Sequence, residues 1–199
     1  MITPSPGYWD RVDPAFLAGD RNHPSRRATL DLVGEAVTAG ARSIVEIGFG
    51  PAYDYELLRC VDDLAYRGLD ISEAMVRRAR ERFCAPGAEA IFEVGTFADL
   101  RPASADIAYT RATLEHQPTL AEPLGALLRA ARRLAIVDWY RPPVTSGESE
   151  KRYDPATGVW YCTWTRGSVD TVIATARSWP PSVEHVVADG HVIDVVRFV

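Results

Sequence analysis

The chain has 199 residues, of which 47% are hydrophobic and 25% are charged, as is typical of a soluble globular domain. It has no stretch of about 18 apolar residues, which excludes a transmembrane helix, and its first residues, MITPSPGYWDRVDPAF, lack the features of a secretory signal. The formal net charge of −5 argues against nucleic acid as a ligand. We therefore expect one cytoplasmic domain over residues 1–199 that binds neither nucleic acid nor a membrane.

Several kinds of chemistry are excluded by the residue types that are scarce. Lys151 is the only lysine, and no GxxxxGK[ST] motif occurs, so P-loop phosphoryl transfer and pyridoxal chemistry are not expected. The three cysteines form no CxxC pair, and the four histidines lack the spacing of metal ligands. The sequence therefore predicts neither a disulfide framework nor a metal site.

Helices and strands are predicted to alternate along most of the chain. A first helix begins at Pro24, with Leu30, Val33 and Val37 at helical spacing, and ends at Gly40. Short apolar strands are predicted within 42–50, 64–70, 90–94, 105–110 and 134–140. Helices are predicted at 54–61, 71–83, 120–133 and around 169–177. This alternation is typical of a parallel α/β sheet with right-handed crossovers.

The C-terminal residues break the alternation. Asp189-Gly190 stands between two β-rich runs and predicts a two-residue hairpin. Five parallel strands followed by an antiparallel pair give seven strands in all.

One segment carries the functional information: VEIGFGPA, at residues 45–52, followed by Asp70 at the end of the next strand. A glycine turn between a strand and a helix lets the backbone approach a ligand closely. An acidic residue about twenty positions further on can accept hydrogen bonds from both hydroxyls of a ribose. Together they indicate a cofactor that contains a nucleoside.

The same segment favours one cofactor over another. The third glycine of a dinucleotide-binding GxGxxG is missing, and Glu46 lies two residues before the first glycine. A carboxylate there repels a pyrophosphate but attracts an ammonium group. S-adenosylmethionine has an ammonium group, a ribose and no phosphate, so it is favoured over NAD.

The chain resembles the class I S-adenosylmethionine-dependent methyltransferases. VEIGFGPA resembles their first motif, GLDISEAMVRRARERF their second, and EVGTFADL, DIAYTRATLEH and LAIVDWYRPP are similar to the segments at strands 3, 4 and 5. The resemblance implies a Rossmann-like, doubly wound, mainly parallel sheet of order 3-2-1-4-5-7-6 with a C-terminal antiparallel hairpin, in a three-layer sandwich. It also implies that residues 1–23 form an arm that caps the cofactor.

The resemblance implies a set of cofactor-binding residues. They are Tyr8, Trp9, Glu46, Gly48, Phe49, Gly50, Asp70, Ile71, Met75, Thr96, Phe97, Thr110 and Arg111. Thr96 and Phe97 stand where many members place an acidic residue that contacts adenine, so Phe97 is expected to stack instead.

The expected activity is transfer of a methyl group to an O or N atom of a small-molecule acceptor, which leaves S-adenosylhomocysteine. His116 is a candidate general base, or it is a residue that shapes the pocket. The segment 139–165 follows strand 5 and is expected to face the acceptor through Trp139, Tyr140, Trp160 and Tyr161, although packing alone also accounts for such aromatic residues. The acceptor and the oligomeric state are left open, with a homodimer as one option.

Three alternatives remain at this point. An NAD-dependent oxidoreductase would use the same glycine turn. A protein of the same fold could catalyse another transfer or bind S-adenosylmethionine without catalysis. A methyltransferase acting on RNA or protein would be expected to carry more positive charge.

Overall fold

The computed structural model describes residues 6–12, 21–85, 91–177 and 181–198. Most of the arm predicted over residues 1–23, together with Ala90 of the predicted third strand, lies outside these ranges. Within them, no helix is both long enough and apolar enough to cross a membrane.

A seven-stranded sheet of order β3-β2-β1-β4-β5-β9-β8 forms the centre of the molecule. Its strands are β1 (Ser43–Ile47), β2 (Ala65–Asp70), β3 (Phe92–Val94), β4 (Ala105–Arg111), β5 (Ala131–Trp139), β8 (Ser182–Ala188) and β9 (His191–Arg197). The first five are parallel to one another, and β9 is antiparallel to both β5 and β8. The predicted fold class and strand order are confirmed, with the last two strands exchanged in space as expected.

Helices cover both faces of the sheet. The described helices are α1 (Pro6–Trp9), α2 (Pro24–Thr38), α3 (Tyr53–Leu58), α4 (Glu73–Phe83), α5 (Ala121–Ala130) and α6 (Arg166–Thr175). Side chains alternate across a strand, so Val45 and Ile47 of β1 join the core cluster containing α5 and α6, while Ile44 joins the cluster containing α2 and α4. The result is three layers, with the sheet between two hydrophobic cores.

Local signals set several element ends, and those at Gly40 and at Asp189-Gly190 were predicted. Ser72 caps α4, because its Oγ accepts a hydrogen bond from the Met75 backbone N–H at 3.1 Å. Gly40, at φ +95°, follows the end of α2. Asp189 and Gly190 both have positive φ, as a type I′ hairpin requires.

Two predicted helices are shorter than expected. The helix predicted at 54–61 ends at Leu58. The one predicted at 120–133 ends at Ala130, since Ala131 is extended and pairs with Ala105 as the first residue of β5. Sheet pairing overrides the helical pattern of the arginines that follow.

A two-stranded hairpin between β5 and α6 was not predicted. Its strands are β6 (Glu150–Asp154) and β7 (Val159–Thr163). Strand β7 lies against the 3₁₀ turn Leu114–His116 that follows β4. Cys162 Sγ contacts the carbonyl oxygen of Gln117 at 3.2 Å. The indole N–H of Trp164, just after β7, points to the carbonyl oxygen of Leu114 at 3.4 Å. The hairpin therefore lies beside the carboxyl edge of the sheet.

Candidate functional site

A cavity of about 690 Å³ lies at the carboxyl ends of β1, β2 and β4. Its lining contains His116 and every cofactor-binding residue predicted from the sequence except Tyr8 and Thr110. The fold thus brings together residues from positions 9 to 116 at one edge of the sheet, where parallel α/β proteins bind their ligands.

The glycine turn after β1 presents bare backbone to this cavity. Gly48 has φ +74°, and a Cβ there would lie 2.2 Å from Thr113 Oγ1, so no other residue fits. Gly50 has φ +52°, and no described atom lies within 4 Å of the place where its Cβ would be. Ala52, two residues further on, also has a left-handed φ of +56°. The turn therefore leaves space for a ligand directly against Gly50.

Asp70 ends β2 and faces the same turn. Its Oδ2 accepts the backbone N–H of Gly50 at 2.8 Å, and its Oδ1 accepts that of Ser72 at 2.9 Å. Burial raises the pKa of Asp70 to about 6 against these two hydrogen bonds, with a further increase from Asp10. The carboxylate is fixed in orientation and keeps lone pairs for a ligand hydroxyl.

Glu46 lies at the opposite side of the turn, in a buried polar network. Its Oε2 accepts the phenol hydrogen of Tyr66 at 2.5 Å. Asp54 lies nearby, paired with the guanidinium of Arg26 and bound by the hydroxyl of Tyr109. Burial, reinforced by the charge of Asp54, raises the pKa of Glu46 to about 8. A cationic ligand group beside Glu46 would stabilise its ionised form.

The predicted adenine end is apolar. Ile71, Met75 and Phe97 line the cavity, and Met75 and Phe97 are buried. The Thr96 side chain is used locally: it accepts the Ala98 N–H, while Asp99 Oδ2 accepts the Thr96 N–H, closing a capping box. The nearby acidic residue, Asp99, therefore stabilises the 3₁₀ turn Phe97–Asp99 to which it belongs.

His116 lines the cavity and lies between two aromatic rings. Its ring centroid is 5.0 Å from that of Trp9 in α1 and 5.5 Å from that of Tyr161 in β7. Its Nδ1 is 2.8 Å from the carbonyl oxygen of Trp160. A carbonyl can only accept, so Nδ1 carries the hydrogen, and Nε2 has its lone pair when the ring is neutral. Burial lowers the pKa of His116, which favours the neutral ring.

Two predicted cofactor residues, Tyr8 and Thr110, do not line the cavity, and a third, Arg111, lines it while it is hydrogen-bonded to the protein. Tyr8 packs edge-on against Trp9 at 4.9 Å and does not reach the described cavity lining. Thr110 donates its hydroxyl hydrogen to the carbonyl of Ile47 at 2.8 Å, joining β4 to β1. Arg111 does line the cavity, and its Nε donates to Asp138 Oδ2 at 2.9 Å.

None of the four predicted acceptor residues is among the residues that line the described cavity. Trp139 is fully buried in the core, where its indole N–H donates to Asp194 at 2.8 Å. Tyr140 is 61% exposed and lines a separate pocket. Trp160 and Tyr161 contact His116 from the outside, through a carbonyl and a ring edge. The first pair consists of Trp139, the last residue of β5, and Tyr140, which directly follows the strand. Successive side chains of an extended chain point to opposite sides.

Sequence reasoning missed several polar residues around the cavity. Asp10 accepts hydrogen bonds from Ser72 Oγ at 2.8 Å and from the Ala74 N–H, which ties α1 to the start of α4. Tyr66, the partner of Glu46, lies in a strand pattern that indicated only core packing. His191 is the first residue of β9 and is buried. These contacts join residues distant in sequence, and no local pattern marks them.

The fold and the cavity together agree with one known fold. The arrangement is the class I methyltransferase fold: a Rossmann-like sheet with a C-terminal hairpin, a glycine turn after β1 and an acidic residue at the end of β2. Residues 44–135 match a family model described as "Methyltransferase domain". The resemblance to class I S-adenosylmethionine-dependent methyltransferases is confirmed.

Comparison with known proteins extends this agreement. Trans-aconitate 2-methyltransferase from Methylobacterium nodulans is 32% identical over 124 residues, which make up 61% of this chain. These residues cover 45% of that relative, so the chain spans less than half of its length.

Solved structures with the same fold match over most of the chain. The sugar N-methyltransferase KedS8 from Streptoalloteichus sp. ATCC 53650 has a TM-score of 0.69 at 16% identity, covering 94% of this chain and 93% of that one. The magnesium protoporphyrin IX methyltransferase ChlM from Synechocystis PCC 6803, with S-adenosylmethionine bound, has a TM-score of 0.65 at 16% identity, covering 96% and 90%. The second structure agrees with the cofactor predicted from the sequence.

Proposed function

We propose that this chain is a methyltransferase that binds S-adenosylmethionine in the large cavity and transfers its methyl group to an O or N atom of a small-molecule acceptor. One observation carries the proposal: Gly50 N donates to Asp70 Oδ2 at 2.8 Å, so the open glycine turn and the fixed carboxylate form one wall. In that wall, the backbone of the glycine turn would contact the methionine portion of the cofactor, and the carboxylate of Asp70 would accept hydrogen bonds from the ribose.

The charges of the cavity suit this cofactor. The ammonium group of a methionine portion would lie near Glu46 and favour its ionised form. A pyrophosphate, as in NAD, would instead meet Glu46 and Asp70, two carboxyl groups at one turn, and would lack the third glycine of GxGxxG, because Tyr53 stands at that position. The residues therefore fit S-adenosylmethionine better than a dinucleotide.

When bound, S-adenosylmethionine supplies an electrophilic methyl carbon. The acceptor's lone pair forms a bond to that carbon as the carbon–sulfur bond breaks, and the electron pair stays on sulfur to leave S-adenosylhomocysteine. The protein contributes mainly by holding the acceptor in line with the methyl carbon.

His116 is proposed as the general base for an acceptor that starts protonated. Its Nδ1–H is held by the Trp160 carbonyl, which keeps the Nε2 lone pair available, and its lowered pKa keeps the ring neutral near pH 7. The hydroxyl or ammonium proton of the acceptor passes to Nε2 and then to solvent.

A small-molecule acceptor is supported by the size of the cavity and by the relatives. Trp9 and the 3₁₀ turn of His116 both line the cavity, which limits the space for a large substrate. The relatives named above act on trans-aconitate, a sugar and magnesium protoporphyrin IX. These acceptors differ widely, so they support the class of acceptor and no particular compound.

Calorimetric titration of the purified protein with S-adenosylhomocysteine, with NADH in parallel, tests the proposal. We expect micromolar binding of S-adenosylhomocysteine alone, followed by product formation in a screen of phenols, amines, sugars and carboxylic acids. Binding of NADH instead would refute the cofactor assignment. Tight binding without turnover of any acceptor would favour a non-catalytic binding protein.

A further inference from the structure

A second pocket, of about 470 Å³, opens at the same edge of the sheet. It lies between the β8–β9 turn, the residues that follow β5 and the start of α2. Its lining includes His23, Tyr140, Thr163, Asp189 and His191. Of these, the methyl-transfer proposal uses none.

His191 is the most buried polar group of this pocket, with 6% of its surface exposed. Its Nδ1 lies 2.7 Å from Asp138 Oδ1. Although burial raises the pKa of Asp138, the hydrogen bond from His191 and the charge of Arg111 hold it below its ordinary value, so the carboxylate is ionised and accepts. Nδ1 therefore carries the hydrogen, and Nε2, which has no hydrogen-bond partner among the described residues, presents a lone pair when the ring is neutral.

His23 has the opposite arrangement. His23 Nδ1 lies 3.0 Å from Ser25 Oγ and accepts the backbone N–H of Ser25 at 3.2 Å. With Nδ1 accepting this amide hydrogen, the ring hydrogen of the neutral imidazole is on Nε2. Asp189 Oδ2 lies 3.7 Å from that Nε2, beyond a normal hydrogen bond. The rings of His23 and His191 lie side by side, with their centroids 4.3 Å apart. The pocket therefore offers one acceptor and one donor side by side.

Asp138 joins this pocket to the large cavity. It accepts hydrogen bonds from Ser25 Oγ and from Nε of Arg111, both at 2.9 Å, in addition to the contact with His191. Arg111 lines the cavity and His191 lines the second pocket, so the two spaces share one wall. The second pocket thus lies beside β4 and β5, next to the place where an acceptor must approach the methyl carbon.

We propose that the second pocket is an acceptor subsite that binds a neutral, hydroxylated part of the acceptor, with His191 Nε2 accepting and His23 Nε2–H donating a hydrogen bond. A hydroxyl group both donates and accepts, so it satisfies the two ring atoms together. An anion only accepts: Arg141, which also lines the pocket, would attract it, but the His191 lone pair and the Asp189 carboxylate would both oppose it. The exposed ring of Tyr140, 5.5 Å from His191, provides an apolar wall for the carbon side of such a ligand. As a subsite for the acceptor, this inference rests on the proposed function.

The test uses the full chain with ¹³C-labelled histidine, saturated with S-adenosylhomocysteine, and follows the four histidine signals by NMR. The probes are methyl α-D-glucopyranoside and myo-inositol, with inorganic phosphate and citrate as anionic controls. We expect both polyols to shift the His191 and His23 signals saturably, and to leave that of His185, on the outer strand β8, unmoved. Shifts with phosphate or citrate alone, or no saturable shift with either polyol, would overturn the subsite.

Variants show whether a loss of polyol binding comes from the pocket itself or from a change in the fold. His191→Gln is expected to weaken polyol binding about tenfold. His23→Asn removes the Nε2 donor but keeps a good N-cap for α2, so it tests the pocket even if His191→Gln does not fold. Val187→Thr, at a 73% exposed position of β8, is the matched control and should leave polyol binding unchanged. Equal polyol affinity in wild type and His23→Asn would contradict the proposed donor.

Parallel titration with S-adenosylhomocysteine distinguishes the two proposals. If the wild type binds S-adenosylhomocysteine but no polyol, the subsite fails and the proposed function stands. If it fails to bind S-adenosylhomocysteine, the proposed function fails, and a saturable polyol shift measured on the ligand-free protein still reports on the pocket.

Discussion

Glu46 and Tyr66 share a buried hydrogen bond, in which the phenol donates to Oε2 at 2.5 Å across adjacent strands β1 and β2. Burial places the pKa of Glu46 at about 8, so most of this carboxyl is protonated at pH 7. An ammonium ligand binds better to the ionised form. Cofactor binding at neutral pH should therefore release a proton.

This linkage predicts the pH dependence of binding. The affinity for S-adenosylhomocysteine should increase by about fivefold or more from pH 6 to pH 8, because the free protein loses the Glu46 proton over that range. Asp70, with a pKa of about 6, adds to the increase at the acidic end. Calorimetry in two buffers of different ionisation enthalpy measures the released proton. Identical apparent enthalpies in both buffers at pH 7 would contradict the assignment of Glu46 to the ammonium group.

Replacing the partner of Glu46 gives a second prediction. The Tyr66 hydroxyl lowers the pKa of Glu46, so Tyr66→Phe should raise it further and weaken S-adenosylhomocysteine binding several-fold at pH 7. The loss should shrink at pH 8.5, where more of the carboxyl ionises. Tyr55→Phe is the matched control, because the Tyr55 ring lies 4.7 Å from that of Tyr66 and no hydrogen bond joins it to Glu46. A pH-independent loss would instead indicate a packing defect.

Asp70→Asn tests the ribose site. The amide would place an NH₂ group against the N–H of Gly50 or Ser72, which both donate to Asp70 in the native protein. We expect S-adenosylhomocysteine binding to fall about 10- to 100-fold, from the loss of a charge-assisted hydrogen bond worth about 1.5–3 kcal/mol. Asp62→Asn, at an exposed loop position, should bind as the wild type does. Thermal unfolding of both variants shows whether the protein remains folded.

Patterns local in sequence predicted the frame of this fold. Asp189 and Gly190 identified the last hairpin because only a few residues accept positive φ at both positions. Gly40 marked the end of the first helix in the same way. The strand order needed the resemblance, because alternation alone gives no order within a sheet.

The side-chain contacts of the site were harder to predict, because they join residues that are far apart in the sequence. The hairpin of β6 and β7 was missed because it shows no clear alternation: β6 has no buried residue, and the two buried residues of β7, Val159 and Cys162, are three positions apart. Trp139 was expected to face the acceptor because it ends β5, but one residue of register decides which face a strand residue takes. The contact of Asp138 with His191 spans 53 positions and depends on the pairing of β5 with β9.

The placement of Trp139 leads to a stability prediction. Its indole N–H donates to the buried Asp194, which also pairs with Arg166 of α6 and His185 of β8. Trp139→Phe removes that hydrogen bond and part of the core volume, so we expect a loss of about 1–3 kcal/mol of unfolding free energy. S-adenosylhomocysteine binding should stay within about twofold of wild type. Chemical denaturation measures the unfolding free energy, and calorimetry measures the affinity for S-adenosylhomocysteine. If Trp139→Phe left stability unchanged but abolished acceptor binding, Trp139 would again be a candidate acceptor residue.

His116→Gln tests the general base once an acceptor with a hydroxyl group has been found. Removing Nε2 should lower kcat by about 10²- to 10⁴-fold, the usual contribution of a positioned base, while S-adenosylhomocysteine affinity stays nearly unchanged. Burial lowers the pKa of His116, so the wild-type rate should fall only below the ordinary histidine range as pH decreases, and this acid limb should vanish in the variant. His185→Gln, at a half-exposed histidine of β8, is the control and should keep both rate and profile. A full rate in His116→Gln, with the acid limb retained, would assign the proton to another group and leave His116 as part of the cavity wall.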